Sequence, residues 1–140
     1  MDNCLYCNNK EKLESLMIYI CDLNVTKLYL FKEQTYYGRC VIAYKEHDVD
    51  FTKLSKEDSA LFVEDMQRVG DAIIKSVSPE KVNYGMYSDT LPHLHVHIVP
   101  KQKDGHSFGS TFDMNVEPAK YLNDDEYNEI IEKIKMNIVG

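Results

Sequence analysis

The chain has 140 residues, of which 44% are hydrophobic and 28% charged, with a formal net charge of −7. That balance suits one soluble domain, and the acidic charge argues against broad nucleic-acid binding, which needs a basic face. No apolar run approaches the ~20 residues of a membrane span, and the opening MDNCLYCNNK lacks the basic-then-apolar layout of a signal peptide.

The expected location is therefore the cytoplasm, where the four cysteines are thiols or metal ligands rather than disulfides. In chain order, CLYC places Cys4 and Cys7 at a C-x₂-C spacing used by zinc sites. LMIYIC (16–21), TKLYLF (26–31) and GRCVIAY (38–44) are rich in β-branched and aromatic residues and lie at hairpin distances, which predicts an antiparallel meander. Residues 55–77 predict a long helix capped by Ser55 with Asp58 three residues on. Its buried face is Phe62, Met66, Val69 and Ile73. VNYGMY (82–87) and HLHVHIV (93–99) supply a fourth and a fifth strand.

A last helix is expected over about 123–138, with Glu126 completing a capping box on Asn123 and Asp124 and Asp125 in the first turn. Tyr127, Ile130, Ile131, Ile134 and Ile138 would form its buried stripe. There is no internal repeat and no linker composition. Five strands with helices inserted and appended give an α+β fold, read as one domain over 1–140.

The histidine run is the chemical signal. Side chains alternate along a strand, so His93, His95 and His97 share one face while Leu94, Val96 and Ile98 enter the core. Pro92 and Pro100, which cannot donate to a ladder, bracket the segment. At about 3.3 Å per residue, the Cα atoms of residues 93 and 97 stand about 13 Å apart. Zinc needs each nitrogen within about 2.1 Å, so the run divides its labour.

The upstream end can complete a metal site: Cys4, Cys7, His47 and His93 make a Cys₂His₂ set. His95 and His97 then remain metal-free. A neutral imidazole is a competent nucleophile toward phosphorus, and a second on the same face can donate to phosphate oxygens. A metal-activated water in an open site is an alternative reading. Tyr36 and Tyr37 read as packing at a strand end, Cys21 and Cys40 as buried thiols, and His106 as a loop residue.

HLHVHIV, with CLYC at the start, Lys45-x-His47 after a strand, and Asn83-x-Gly85 ahead of the histidines, resembles the signature of the histidine triad proteins, nucleotidyl hydrolases and transferases. The resemblance spans residues 4 to about 103. It implies an antiparallel-sheet domain pairing into a homodimer, a small nucleotide as substrate, and structural zinc held by the first triad histidine and its partners. It also implies that His95 attacks the α-phosphate while a backbone carbonyl orients its other nitrogen, and that His97 and Thr90 bind the phosphate or leaving group. Asn83 would contact phosphate or ribose, and histidine at 97 favours a hydrolase.

The chain departs from the pattern at Ser88-Asp89, Gly38-Arg39 and Ala43-Tyr44, and Phe31-Lys32-Glu33 stands where a ribose-binding aspartate is common. Asp89 would border the substrate only if paired with Arg39 or a lysine, and Arg39 could itself neutralise a polyphosphate. Two functions follow as expectations: a nucleotide hydrolase acting through a nucleotidyl-histidine, or a zinc-stabilised, non-catalytic nucleotide-binding module.

Overall fold

A computed structural model describes residues 4–138. Strands β1 (Met17–Asp22), β2 (Thr26–Phe31), β3 (Cys40–Tyr44), β4 (Lys81–Gly85) and β5 (His95–Lys101) form one antiparallel sheet in the order β1-β2-β3-β5-β4. The expected meander is present, and β5 then inserts between β3 and the edge strand β4. Together with its helices this is the α+β architecture expected from the sequence. No helix among the described residues is long and apolar enough to cross a membrane.

Helix α3 (Lys56–Val77) opens on Ser55, whose side chain accepts a hydrogen bond from the Asp58 amide, as the capping pattern predicts. Helix α4 (Asp124–Ile138) carries the full reciprocal box: the Asn123 amide donates to Glu126 at 2.9 Å and the Glu126 amide to Asn123 at 2.8 Å. Their apolar stripes cover one face of the sheet. Phe62, Val69 and Ile73 of α3 and Ile130, Ile134 and Ile138 of α4 join Leu28, Leu30, Ile42, Leu94, Val96 and Ile98 in the main core.

Asp65 lies on the buried side of α3 with no exposed surface. Its carboxylate accepts from the amides of Asn24, Val25 and Thr26 and from the Thr26 hydroxyl, at 2.9 to 3.1 Å. It thereby pins the β1–β2 turn to the helix. A buried carboxylate is tolerable only with this many donors.

The opposite face carries the histidines. Two short helices that the periodicity did not reveal, α1 (Leu5–Asn8) and α2 (Lys10–Leu16), pack there over Tyr29, Val41 and Ala43. KEKLESL has too few apolar residues to declare a stripe, although Asn9 caps it by accepting from the Lys12 amide. Leu16 therefore ends a helix rather than starting the first strand.

Two strand boundaries also move. His93 precedes β5 instead of lying in it, and β5 continues through Pro100 to Lys101. Pairing with β3 ends at Ile98, opposite Cys40, so Pro100 owes no ladder bond on that edge. The fourth strand stops at Gly85, short of Tyr87.

Candidate functional site

Residues 93 and 94 clasp the turn that follows β3. The Leu94 amide donates to the Asp48 carbonyl at 2.7 Å, and the Tyr44 amide to the Leu94 carbonyl at 3.0 Å. This clasp brings His47 against His93, and α1 delivers the two cysteines. His93 Nδ1 lies 3.3 Å from Cys4 Sγ, 3.5 Å from Cys7 Sγ and 3.1 Å from His47 Nδ1. Cys7 Sγ is 3.5 Å from His47 Nδ1, and all four ligand atoms fall within 4.8 Å of one another.

Around a tetrahedral zinc the nitrogen–nitrogen and sulfur–nitrogen edges are about 3.3 and about 3.6 Å, so the donor set fits such an ion. The tautomer fits too. His93 Nε2 lies 2.7 Å from the Tyr44 carbonyl, which only accepts, so Nε2 carries the proton and Nδ1 offers its lone pair to the cluster.

His95 is held the other way round. Its Nδ1 lies 2.6 Å from the His93 carbonyl, so Nδ1 donates and Nε2 is left with a free lone pair. Burial lowers its pKa, against the opposing effect of that hydrogen bond. The ring is neutral at physiological pH, the state a nucleophile needs.

His97 reverses the assignment again. Arg39 Nη2 stands 3.1 Å from His97 Nδ1. A guanidinium can only donate, so Nδ1 accepts and Nε2 carries the proton. Burial first, then the Arg39 charge, then His95, lower the His97 pKa from 6.5 to about 3. The two rings lie 5.3 Å apart between centroids, one with a bare nitrogen and the other with an N–H to give.

Arg39 owes its place to the loop before β3. Gln34, fully buried, donates to the carbonyls of Phe31 and Arg39 and accepts from the Gly38 amide at 2.8 Å. Gly38 turns the chain at φ 95°, a conformation glycine adopts without strain.

The arginine then points inward. Its guanidinium lies 4.1 Å from the Phe31 ring centroid and 5.2 Å from that of Phe112, and Nη1 donates to the Met114 carbonyl at 3.3 Å. Arg39 has no exposed surface, which corrects its expected role as a direct ligand of a polyphosphate and as a partner for Asp89. Its hydrogen bonds go to His97 and Met114 instead.

His95 and His97 open into a cleft of ≈ 420 Å³ whose walls include Asp89, Thr90, Phe112 and Met114. His95 and His97 are only 4 to 5% exposed. Thr90 and Asp89, both exposed, line this cleft.

Asn83 does not. It pairs opposite Val99, two residues past His97, and lines a neighbouring cleft of ≈ 680 Å³. Tyr87 and Phe112 border both clefts and stand between them. Glu33, the nearest acid to the missing ribose-binding position, has its carboxylate engaged by the amide and hydroxyl of Thr35 and by the Lys120 amide.

Phe112 and Met114 belong to the segment after β5, whose sequence carries no periodicity. The buried Lys101 ammonium holds that segment by donating to the Ser107 and Ser110 carbonyls. His106 is a loop residue there, paired with Asp113 at 2.5 Å.

No family model matches the sequence, and no curated protein does either. Solved structures do match. A histidine triad (HIT) protein of Sinorhizobium meliloti 1021 superposes with a TM-score of 0.84 at 19% identity, covering 91% of this chain and 94% of that one. A histidine triad protein of Bradyrhizobium japonicum gives 0.84 at 20% identity over 91% and 95%. A Zn-bound histidine triad family protein of Mycobacterium smegmatis gives 0.68 at 18% identity over 96% and 94%. The fold of this chain is thus the histidine triad fold, as its signature implied.

Proposed function

We propose that the protein is a nucleotide hydrolase of the histidine triad type, cleaving a dinucleoside polyphosphate or a nucleoside phosphoramidate at the α-phosphate. His95 Nε2 attacks phosphorus, the bond to the leaving oxygen or nitrogen breaks, and that atom takes a proton from solvent. Water then attacks the same phosphorus, the nitrogen–phosphorus bond opens, and a nucleoside monophosphate leaves while the water's proton passes to solvent. His97 donates from Nε2 to a phosphate oxygen as charge builds in each step. Thr90 adds a hydroxyl donor from the rim.

One observation carries this reading. The His93 carbonyl fixes His95 with its lone pair on Nε2, beside a second imidazole whose cleft-facing nitrogen holds a proton.

Cys4, Cys7, His47 and His93 would hold zinc, whose chemistry when bound is to cross-link α1 to the turn after β3. Four protein donors fill a tetrahedral shell, which favours a structural ion over one that activates water. The same reading takes the protein as a homodimer, on the strength of the resemblance alone.

The test is to incubate the zinc-loaded chain with dinucleoside polyphosphates, phosphoramidates and acyl adenylates and trap a nucleotidyl adduct by mass spectrometry. His95→Asn is expected to abolish adduct and turnover while thermal stability and zinc content hold. Tight binding of a monophosphate with no adduct across the panel would establish a non-catalytic nucleotide-binding module instead.

A further inference from the structure

The least explained group beside the cleft is Arg39, a cation with no exposed surface and no carboxylate within salt-bridge distance among the described residues. Its Nε has no hydrogen-bond partner among the described residues. Burying a charge this way is costly unless something opposite in sign completes it. Two aromatic faces and one carbonyl offset part of that cost. Glu33 favours the charged form from a distance, but its oxygens face Thr35 and Lys120. Besides those contacts the guanidinium meets His97, and among the described residues no other hydrogen bond reaches that ring's nitrogens.

We propose that Arg39 is a positioning residue for this cleft: it fixes His97 with its proton on Nε2, toward the ligand, and supplies from behind the positive charge that a bound phosphate completes. The proposal rests on the reading of the cleft as a phosphate site and names how that site is polarised. A guanidinium cannot accept a hydrogen bond, so at 3.1 Å from Nδ1 it excludes the tautomer that would turn a bare nitrogen toward an anion. A phosphate at His97 Nε2 would then stand one imidazole away from a charge that water does not screen.

The other groups around His97 leave Arg39 in control. From β5 the titratable neighbour is His95; Phe31 from β2 and Phe112 and Met114 from the loop carry no charge. Loss of a hydrogen bond to a charged group lowers affinity about tenfold or more.

The experiment uses the full, zinc-loaded chain labelled with ¹⁵N. Proton–nitrogen correlation spectra report which ring nitrogen of His97 is protonated, with no need of substrate. The wild type is expected to show Nε2–H and a bare Nδ1 across about pH 8 to about pH 5. Inorganic phosphate is expected to perturb the His95 and His97 signals saturably.

Arg39→Met is expected to release the ring to the Nδ1–H form and to raise its pKa only part of the way back toward 6.5, because burial remains. The same variant should weaken phosphate binding about tenfold or more and lower kcat more than it raises KM. Arg39→Lys, still a donor that cannot accept, is expected to restore the tautomer and part of the affinity.

A wild-type His97 protonated on Nδ1 overturns the proposal whether or not any variant folds. So does a folded Arg39→Met with unchanged tautomer and phosphate affinity, or a wild type that does not bind phosphate. If the tautomer and phosphate results hold and no nucleotidyl adduct forms, the hydrolase reading fails while the positioning role stands.

Discussion

The three imidazoles differ most sharply in how they resist protons, and His97 gives a quantitative test. In the unfolded chain it binds a proton below its ordinary 6.5; in the folded protein burial and the Arg39 charge hold it neutral down to about 3. The unfolded state therefore binds more protons throughout that window. Stability is full above 6.5 and falls as the pH drops toward 3, with a slope of up to about 1.4 kcal/mol per pH unit. Between about pH 7 and about pH 5 the loss from this one ring is about 2 kcal/mol, a large share of a domain stability of about 5–15 kcal/mol.

The comparison variant is His97→Asn, which does not titrate and offers Arg39 a carbonyl oxygen in place of Nδ1. Urea unfolding of both proteins at the two pH values measures the effect. Proton uptake elsewhere in the chain is common to both proteins and cancels in the difference. The wild type is expected to lose about 2 kcal/mol more than the variant on acidification. Equal losses would refute the claim that His97 is buried, neutral and paired with a cation.

Two other perturbations probe the scaffold. Asp65→Asn keeps one carbonyl oxygen but turns an NH₂ toward an amide that now has no acceptor; a loss of about 1–3 kcal/mol is expected, read as a lower Tm in thermal unfolding. Chelation of a metal present at about 100 times its Kd is expected to remove about 2.7 kcal/mol of stability, roughly 10 °C in Tm. An unchanged melting curve after verified metal removal would show that the four-residue cluster does not anchor α1.

Much of this architecture was readable from the sequence because two periodicities are clear. Phe62, Val69 and Ile73 repeat at helical spacing, Leu94, Val96 and Ile98 at strand spacing, and Ser55 and Asn123 announce the helix starts. The cysteine–histidine cluster was also legible, since C-x₂-C fixes two donors and a five-residue strand cannot give both its end histidines to one ion.

The rest depended on long-range contacts that no local pattern encodes. Asp65 looks like any polar residue of an amphipathic helix until the β1–β2 turn delivers four donors to it. The usual rule that arginines stay solvated fails at Arg39, which the loop built on Gln34 and Gly38 turns inward. Asn83 lies at the expected place in the chain, but Phe112, arriving from a segment without periodicity, stands between it and His97.

His93 contributes to two neighbouring assemblies at once: its ring faces the cysteines while its peptide oxygen aims the ring of His95. The packing of the N-terminal segment and the orientation of the His95 ring thus share a single amino acid. A substitution elsewhere that rotates this peptide plane would loosen both together, so in this protein the cysteine–histidine cluster and the set of the neighbouring imidazole have the same address.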